Sequence, residues 1–476
     1  MHAIVSARQT VLGWGMAVGG PADVVRLYDP QSAAAVLDWA RHHGRTVALR
    51  GGGCSYGDAA YGDVVIDLSG MDHILRFDPA TGVVRAQAGA TLQQIWQAAV
   101  PHGWWPPVVS GTMAPTLGGA AAMNIHGKNA FRVGPIGDHL LAIKVVFPSG
   151  EHRELTPADP LFFAVVSGAG TLGVITEVEL QLKRVEAARL DVWATTAPDL
   201  DGLFGFFERH AASADYLVAW LDAFATGKGL GRSLIHAAYH LHAGDEADTG
   251  QALQVHSQQL PTRLFGVVPK AWMWRFLKPF SNPRGMRLVN LGRWWSGVLL
   301  ARDKRYRQTH GAFHFLLDYV PDWKKVYSPG GLIQHQAFVP ADRARAVFQA
   351  LLEMQQRRGL VNWLSVVKRH RADRFLLSHG LDGYSLAQDF AVTTANRAAL
   401  WQLCHDMDDL VAAAGGRVYF AKDATVRPES VLAMFGPDRL LQWATWQQHC
   451  DPAGVLQSAQ WRRAVAPAVA MARSRP

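Results

Sequence analysis

The chain has 476 residues, 49% of them hydrophobic and 18% charged, and a formal net charge of +8. That length exceeds one simple core and implies two domains, while the composition excludes a long disordered chain. Cys54, Cys404 and Cys450 form no disulfide framework and lack the spacing of a zinc site.

The N-terminal Met-His-Ala-Ile-Val-Ser-Ala-Arg has no apolar run of signal-peptide length, and no window is apolar enough to span a bilayer. The default is a soluble protein of a reducing, cytoplasmic compartment. Excess positive charge favours an anionic partner: nucleic acid, a phosphorylated substrate or an acidic membrane surface.

The spacing of Val36, Leu37, Trp39 and Ala40 after Asp29-Pro30 predicts a helix that Gly44 stops. Val47–Leu49 leads as a strand into a glycine loop, Arg50-Gly-Gly-Gly-Cys-Ser-Tyr-Gly-Asp58. Val64–Leu68 and Val83–Ala90 read as strands, and Thr91 with Gln94 as a capping box for a helix bearing Leu92, Ile95 and Trp96. A second stretch of small residues, Gly111–Asn129, reads as a long loop. Loops so poor in bulk suit a backbone that must approach an extended, charged ligand.

Ile143–Phe147 and His152–Leu155 flank Pro148-Ser-Gly150 as a hairpin, and Gly173–Leu182 is a further strand. Short strands mixed with a few helices to about residue 185 define an α+β domain, not a doubly wound sheet. Neither loop has the dinucleotide fingerprint, Ala169-Gly-Thr-Leu-Gly173 is only a lone glycine pair, and no phosphate-loop or zinc-protease motif occurs. His236, His240 and His242 share one parity of a strand-like run and read as surface or satisfied core residues, so no metal is expected.

From about residue 186 the character changes, with strands at Leu217–Asp222 and Ser233–His240. Between Leu264 and His310 stand Lys270, Arg275, Lys278, Arg284, Arg287, Arg293, Arg302, Lys304, Arg305 and Arg307, with Asp303 the only acid. Trp272, Trp274, Phe276, Phe280, Trp294 and Trp295 are interleaved with them. Rings among cations suit a membrane interface; the alternative is a solvated basic loop whose rings pack back on the protein. No nucleic-acid-binding motif accompanies the patch.

Gly331–Val339 alternates as a strand with Gln334 and Gln336 on one face, able to read sugar hydroxyls or to line a wet sheet. A helix striped by Val347, Leu351 and Met354 ends at Gly359, and Trp363–Lys368 is a strand ending on a lysine. A helix Asn396–Ala414, striped by Leu400, Leu403, Met407 and Leu410, stops at Gly415-Gly416. Arg417–Asp423 follows as a strand carrying Tyr419 and Lys422.

Ser55-Tyr-Gly-Asp58, Gly118-Gly119, Ile125-His-Gly-Lys-Asn129, Gln334-His-Gln336 and Tyr419-Phe-Ala-Lys-Asp423 together resemble one flavoprotein family. It is the vanillyl-alcohol-oxidase (PCMH-type) superfamily, and within it the decaprenylphosphoryl-β-D-ribose 2′-oxidase family. The likeness runs from Gly13-Trp-Gly15 nearly to the C-terminus. It implies an α+β fold with an FAD-binding PCMH-type domain over 1–187, a β-rich cap over 188–414, and a segment 415–476 returning to the FAD domain.

The resemblance further implies FAD between the two loops. Arg50, Gly51, Gly52, Gly53, Cys54, Ser55, Tyr56, Gly57 and Asp58 would contribute from the first loop. Gly111, Thr112, Thr116, Gly118 and Gly119 would contribute from the second. Asn124, Ile125 and His126 would run beside the flavin ring, and Ile175 and Tyr419 would contact it. Lys422, His126 and Tyr56 would be the catalytic residues. Lys128, Gln334, Gln336, Lys368, Ala387, Asp389 and Lys422 would line the substrate pocket.

The implied activity is oxidation of a secondary alcohol on a lipid-phosphate-linked pentose to a 2-keto sugar, with hydride passing to flavin N5. A short-chain reductase partner would consume that product, and 264–310 would be a mobile loop in peripheral contact with the inner membrane face. The alternatives are an aldonolactone or alditol oxidase of the same superfamily, or a catalytically silent flavin-binding assembly component. Cys54 stands where many relatives carry a flavin-linking histidine, which implies non-covalent FAD. Met123 and Ala387 replace cysteines of the family, the second being the target of covalent inhibitors. His314 replaces a tyrosine and Leu332 a phenylalanine, which bears on the glycosyl substrate.

Overall fold

The computed structural model describes residues 7–246, 253–264 and 268–474. The N-terminal residues 1–6, read above as lacking a signal peptide, and residues 265–267 of the basic segment lie outside the described residues.

Strands β1 (Ala7–Leu12) and β2 (Gly19–Arg26), helix α1 (Gln31–His42), and strands β3 (Val47–Arg50) and β4 (Val64–Asp67) form the first layer. Their sheet has the order β1-β2-β4-β3, parallel except for β1. Ala33, Val36, Leu37 and Ala40 bury one stripe of α1 among Val47, Val64 and Ile66.

β5 (Ile74–Asp78), β6 (Val83–Gln87), β8 (Leu140–Val146), β9 (His152–Leu155) and β10 (Val174–Gln181) make a second, antiparallel sheet, ordered β5-β6-β10-β8-β9. The expected hairpin is β8–β9. β7 (Trp104–Trp105) pairs with β11 (Lys183–Arg184) beside it. The capping box forms on α2 (Leu92–Ala99): Thr91 Oγ1 accepts from Gln94 N at 3.2 Å, and Gln94 Oε1 accepts from Thr91 N at 2.8 Å.

The stretch read as one long loop contains a helix, α3 (Leu117–Ala122), capped by Thr116 Oγ1 accepting from Gly119 N at 3.3 Å. Three alanines and a good cap outweigh the two glycines, and Leu117 anchors the turn in the core. Gly118 lets α3 sit on Ala88, whose Cβ would be 2.6 Å from a side chain there.

After β11 the chain builds an eight-stranded antiparallel sheet. β12 (Arg189–Ala197), helix α4 (Leu200–His210), β13 (Tyr216–Leu221) and β14 (Ser233–His240) come first. A small hairpin, β15 (Arg263–Leu264) with β16 (Val268–Pro269), precedes the basic segment. That segment is mainly helical, not a loop: its centre is α5 (Pro283–Ser296), with proline in the first turn and Asn282 Oδ1 accepting from Gly285 N at 2.9 Å.

β17 (Lys304–Thr309), β18 (Leu332–Pro340), α6 (Ala341–Arg358), β19 (Leu364–His370), β20 (Gly383–Ala391), α7 (Arg397–Ala413) and β21 (Arg417–Val418) complete the unit. The order is β17-β12-β14-β13-β19-β20-β18-β21. α6, α7 and α4 cover one face, and the other faces the first two sheets.

The strand expected over Arg417–Asp423 stops at Val418. Tyr419–Asp423 is a turn closed by Lys422 N and Asp423 N donating to the Tyr419 carbonyl at 2.8 and 3.1 Å. Beyond it α8 (Pro428–Cys450) and α9 (Ala466–Arg473) bring the chain back, and Val47 N donates to the Val455 carbonyl at 2.8 Å. Among the described residues no helix is long and apolar enough to cross a membrane.

Candidate active site

A continuous cavity runs between the first glycine loop and the inner face of the eight-stranded sheet. At one end are residues 50–56. The backbone N–H groups of Gly51, Gly52, Gly53, Cys54 and Ser55 donate to no described protein acceptor, and all five residues line the cavity. Consecutive free N–H groups form a concave anion site. Gly53 adopts φ +64°, a left-handed conformation costly for any side chain. Gly52 is required for a different reason: a Cβ there would collide with the Ala114 carbonyl of the second stretch.

The second stretch contributes shape more than donors. Leu117 N and Gly118 N already donate to the Ala90 and Ala88 carbonyls at 2.8 Å each, and Gly119 N donates to Thr116. Gly111, Thr112, Thr116, Gly118 and Gly119 nevertheless line the cavity, as do Ile125, Ile175 and Tyr419. Thr112 Oγ1 and Met113 N donate to Asp318 at 2.7 and 2.8 Å, which ties this stretch to the cap.

Three residues expected at the cofactor lie elsewhere. Gly57 packs on the Asp423 carbonyl, and Asp58 accepts from Arg463 at 2.9 and 3.0 Å, so both fasten the C-terminal return. Asn124, at φ +45°, turns its Oδ1 inward to accept from Gly137 N at 2.9 Å. None of the three lines the cavity. Leu332 is likewise fully buried off the cavity wall, its N–H donating to the Gly15 carbonyl, whereas His314 is on the wall.

Strand register explains the other wall. Residues directly opposite across antiparallel strands share a face. Gln334 opposes Asp389 and Gln336 opposes Ala387. Ala387 in turn opposes Val366, and Lys368 opposes Ser385. Val366 opposes Trp220 on β13, and Val218 opposes His236 on β14. All of these side chains line the cavity. Val218, Trp220 and His236 were not anticipated as site residues; their parity was readable, but which strands they neighbour was not.

Lys422 projects from the 419–423 turn with Nζ 3.7 Å from the centroid of the buried Tyr56 ring. No described protein group accepts from that ammonium. Burial pulls its pKa down, and the charge of Asp389 only partly offsets this. Asp389 is pushed up by burial, while Gln334, donating to its Oδ1, favours the anion. Lys368 is lowered to about 7 by burial and then by the charge of Lys422. Lys128 is lowered by burial and then by the charge of Lys368, and its ammonium donates to the Phe313 carbonyl.

His126 is buried beside Phe338, His370, His379 and Tyr419. Its pKa is held well below the usual value, first by burial and then by Lys368, so the ring is neutral. Gln336 Nε2 donates to His126 Nε2 at 3.0 Å. The proton therefore sits on Nδ1, which has no protein acceptor. An orphaned buried donor on the wall calls for an acceptor on a bound group. Cys54 Sγ, 3.4 Å from the Gly52 carbonyl, is raised to about 11 by burial and stays a thiol.

A lysine cluster without ion pairs costs stability. Lys368 has a folded pKa of about 7 against the ordinary lysine value of 10.5. The unfolded state binds more protons across that window, so the cost is full below its lower edge and fades toward its upper edge. Lys368→Met is expected to raise Tm by about 2–4 °C at neutral pH. The gain should shrink in melts run at progressively more alkaline pH, and an equal gain at every pH would contradict this origin.

Comparisons with known proteins agree with this geometry. Residues 21–156 match an FAD binding domain, which covers the anion nest and α3, and the protein is an FAD-dependent oxidoreductase. The chain is 31% identical to decaprenylphosphoryl-β-D-ribose oxidase of Mycolicibacterium smegmatis, over 95% of this chain and 96% of that protein. It is 29% identical to an uncharacterised Streptomyces coelicolor protein over 78% of this chain and 99% of that one. It is 30% identical to L-gulono-1,4-lactone dehydrogenase of Mycobacterium tuberculosis over only 35% of this chain and 39% of that one. The chain belongs to the decaprenylphosphoryl-β-D-ribose oxidase family of FAD-linked enzymes.

Proposed function

We propose that the protein oxidises the 2-hydroxyl of a lipid-phosphate-linked pentose to a ketone. The observation that carries this reading is the cavity wall. Amides, lysines and a carboxylate suited to sugar hydroxyls face the flavin-binding nest, in a chain matching a ribose oxidase along nearly its whole length.

Bound FAD supplies the hydride acceptor. The five free N–H groups of 51–55 would hold its pyrophosphate, and the unpartnered His126 Nδ1–H would donate to the bound cofactor. With the Cys54 thiol protonated, FAD would be held without a covalent link. Lys422 is the group placed to take the hydroxyl proton, because it stands over Tyr56 beside the cofactor loop, burial favours its neutral form and no described protein acceptor occupies its nitrogen. Tyr56 supports it from below. His126 positions and does not act as the base, since Nε2 is engaged by Gln336. Gln334, Gln336 and Asp389 orient the sugar, and Lys128 and Lys368 line the pocket around it.

Steady-state kcat/KM for farnesyl-phosphoryl-β-D-ribose should exceed that for L-gulono-1,4-lactone and for free pentitols. Turnover of the lactone or pentitols alone would replace this reading with the soluble-polyol alternative. The ketone product is a substrate for a reductase, and net epimerisation would require one.

We further assign the outer face of α5 to an anionic bilayer surface. Leu288 and Trp295 are 61% and 51% exposed, and Leu299 and Leu300 follow at 74% and 66%. Arg284, Arg287 and Arg302 flank them. Vesicles containing phosphatidylglycerol should co-sediment the protein, and Leu288→Glu with Leu299→Glu should abolish this. Equal binding to pure phosphatidylcholine vesicles would contradict the electrostatic part.

A further inference from the structure

One end of the cavity holds the Arg293 guanidinium, with the neutral His236 imidazole and the Lys128 nitrogen on the same wall. Arg293 reaches in from α5, its guanidinium carbon 4.9 Å from the centroid of the Trp220 ring. No described group pairs with or accepts from that guanidinium. It remains accessible because it faces the cavity, yet the surrounding protein desolvates it enough to lower its pKa. His236 lines the same wall and feels both neighbours: burial lowers its pKa to about 4, with Lys128 and then Arg293 contributing.

The carboxylate on this sheet face, Asp389, stands on β20, three strands from His236 on β14. At strand spacing that separation is at least about 14 Å. An uncompensated guanidinium in a cavity wall is stabilised when an anion binds beside it.

The helix is held in register for this role. Asn290, one turn before Arg293 and on the same face, is buried, and its Nδ2 donates to the Met286 and Trp363 carbonyls at 2.9 and 3.3 Å. The Trp220 ring supports the guanidinium from one side, which leaves its fork free on the other. A guanidinium fork matches two oxygens of a phosphate.

We propose that Arg293, with His236 and Lys128, forms a phosphate site that binds the phosphodiester of the lipid-linked substrate. This rests on the function proposed above, and deepens it by assigning the substrate's anionic group to α5. The aliphatic tail then leaves the cavity beside the exposed apolar face of the same helix.

The test uses the holoenzyme and two readouts. In the first, kcat/KM is measured for farnesyl-phosphoryl-β-D-ribose and for a neutral farnesyl riboside. Arg293→Gln should reduce the preference for the phosphodiester about tenfold to a hundredfold, mostly through KM, and Arg293→Lys should restore part of it. A loss shared equally by both substrates would show a merely structural role and overturn the proposal. So would an unchanged preference.

The second readout is calorimetric binding of farnesyl phosphate, which needs no turnover. Wild type should bind it at least tenfold more tightly than Arg293→Gln does. Equal binding overturns the phosphate site. Arg293-dependent binding in a protein that turns over neither riboside would uphold the phosphate site while the substrate assignment fails. Inorganic phosphate competing as strongly as farnesyl phosphate would overturn the lipid-phosphate assignment.

Discussion

Lys422→Ala lowers the anaerobic rate of flavin reduction by about 10³-fold while the purified protein keeps its full flavin content. The loss is large because Lys422 is the lysine that stands over Tyr56 beside the cofactor loop, whereas Lys128 is bonded to the Phe313 carbonyl and Lys368 lies out on the β19 wall. His126 is protonated on its free side, Asp389 is held by Gln334, and Cys54 is a thiol. Flavin content is spared because the pyrophosphate nest uses backbone N–H groups of residues 51–55, and the 419–423 turn meets that loop through the backbone bond from Tyr56 N to the Ala421 carbonyl, which the substitution leaves in place.

The pH dependence carries a sign. Burial lowers the Lys422 pKa, and a lysine that accepts the proton must start neutral. The wild-type rate should therefore rise with pH and level off above that lowered pKa. A rate that falls as the lysine loses its charge would assign it instead to electrostatic stabilisation of developing negative charge. Wild-type reduction rates in Lys422→Ala would remove Lys422 from the reaction.

Arg463→Met destabilises the folded protein by about 3–5 kcal/mol and loosens FAD binding. Arg463 stands between two carboxylates, bonding Asp58 at 2.9 and 3.0 Å and Asp423 at 2.8 Å, and its Nη1 donates to the Val426 carbonyl at 2.6 Å. Removing it leaves Asp58 and Asp423 buried against each other. Asp423 directly follows Lys422, and Asp58 ends the first glycine loop, so the break falls where the returning C-terminal segment meets the cofactor loop. Thermal melting should drop by about 5 °C or more, with flavin fluorescence appearing before global unfolding. An unchanged melt would show that the network contributes nothing to the return.

Much of the architecture was legible because it is periodic. The capping box at Thr91 and Gln94, the β8–β9 hairpin and the shared face of Gln334 and Gln336 follow from local chemistry, and the structure contains all three. Where local chemistry is ambiguous, the sequence reading failed. Leu117–Ala122 is glycine- and alanine-rich, and Thr116 decides it as a helix only once Leu117 has a core to enter. The basic segment, read as a loop from its charge, has a helical centre whose inner face is anchored through Asn290. Tyr419–Lys422 looks like a strand by composition but lacks a partner strand beyond Val418.

The nest in the first loop was legible from its glycines. Its detailed cause was not, because Gly52 is required by Ala114, sixty residues on, and not by the ligand. Arg293 could not be distinguished from its basic neighbours in the sequence. Only the fold turns its side chain inward over Trp220 while exposing Leu288 and Trp295.

The most direct test of the central claim is anaerobic single turnover with farnesyl-phosphoryl-β-D-ribose deuterated at C2. Hydride loss from that carbon predicts flavin bleaching that is severalfold slower than with the protiated substrate, and a product two hydrogens lighter at C2 and its hydroxyl. Bleaching at equal rates with an unchanged sugar, or no bleaching by this substrate while free pentitols bleach the flavin, would contradict the account.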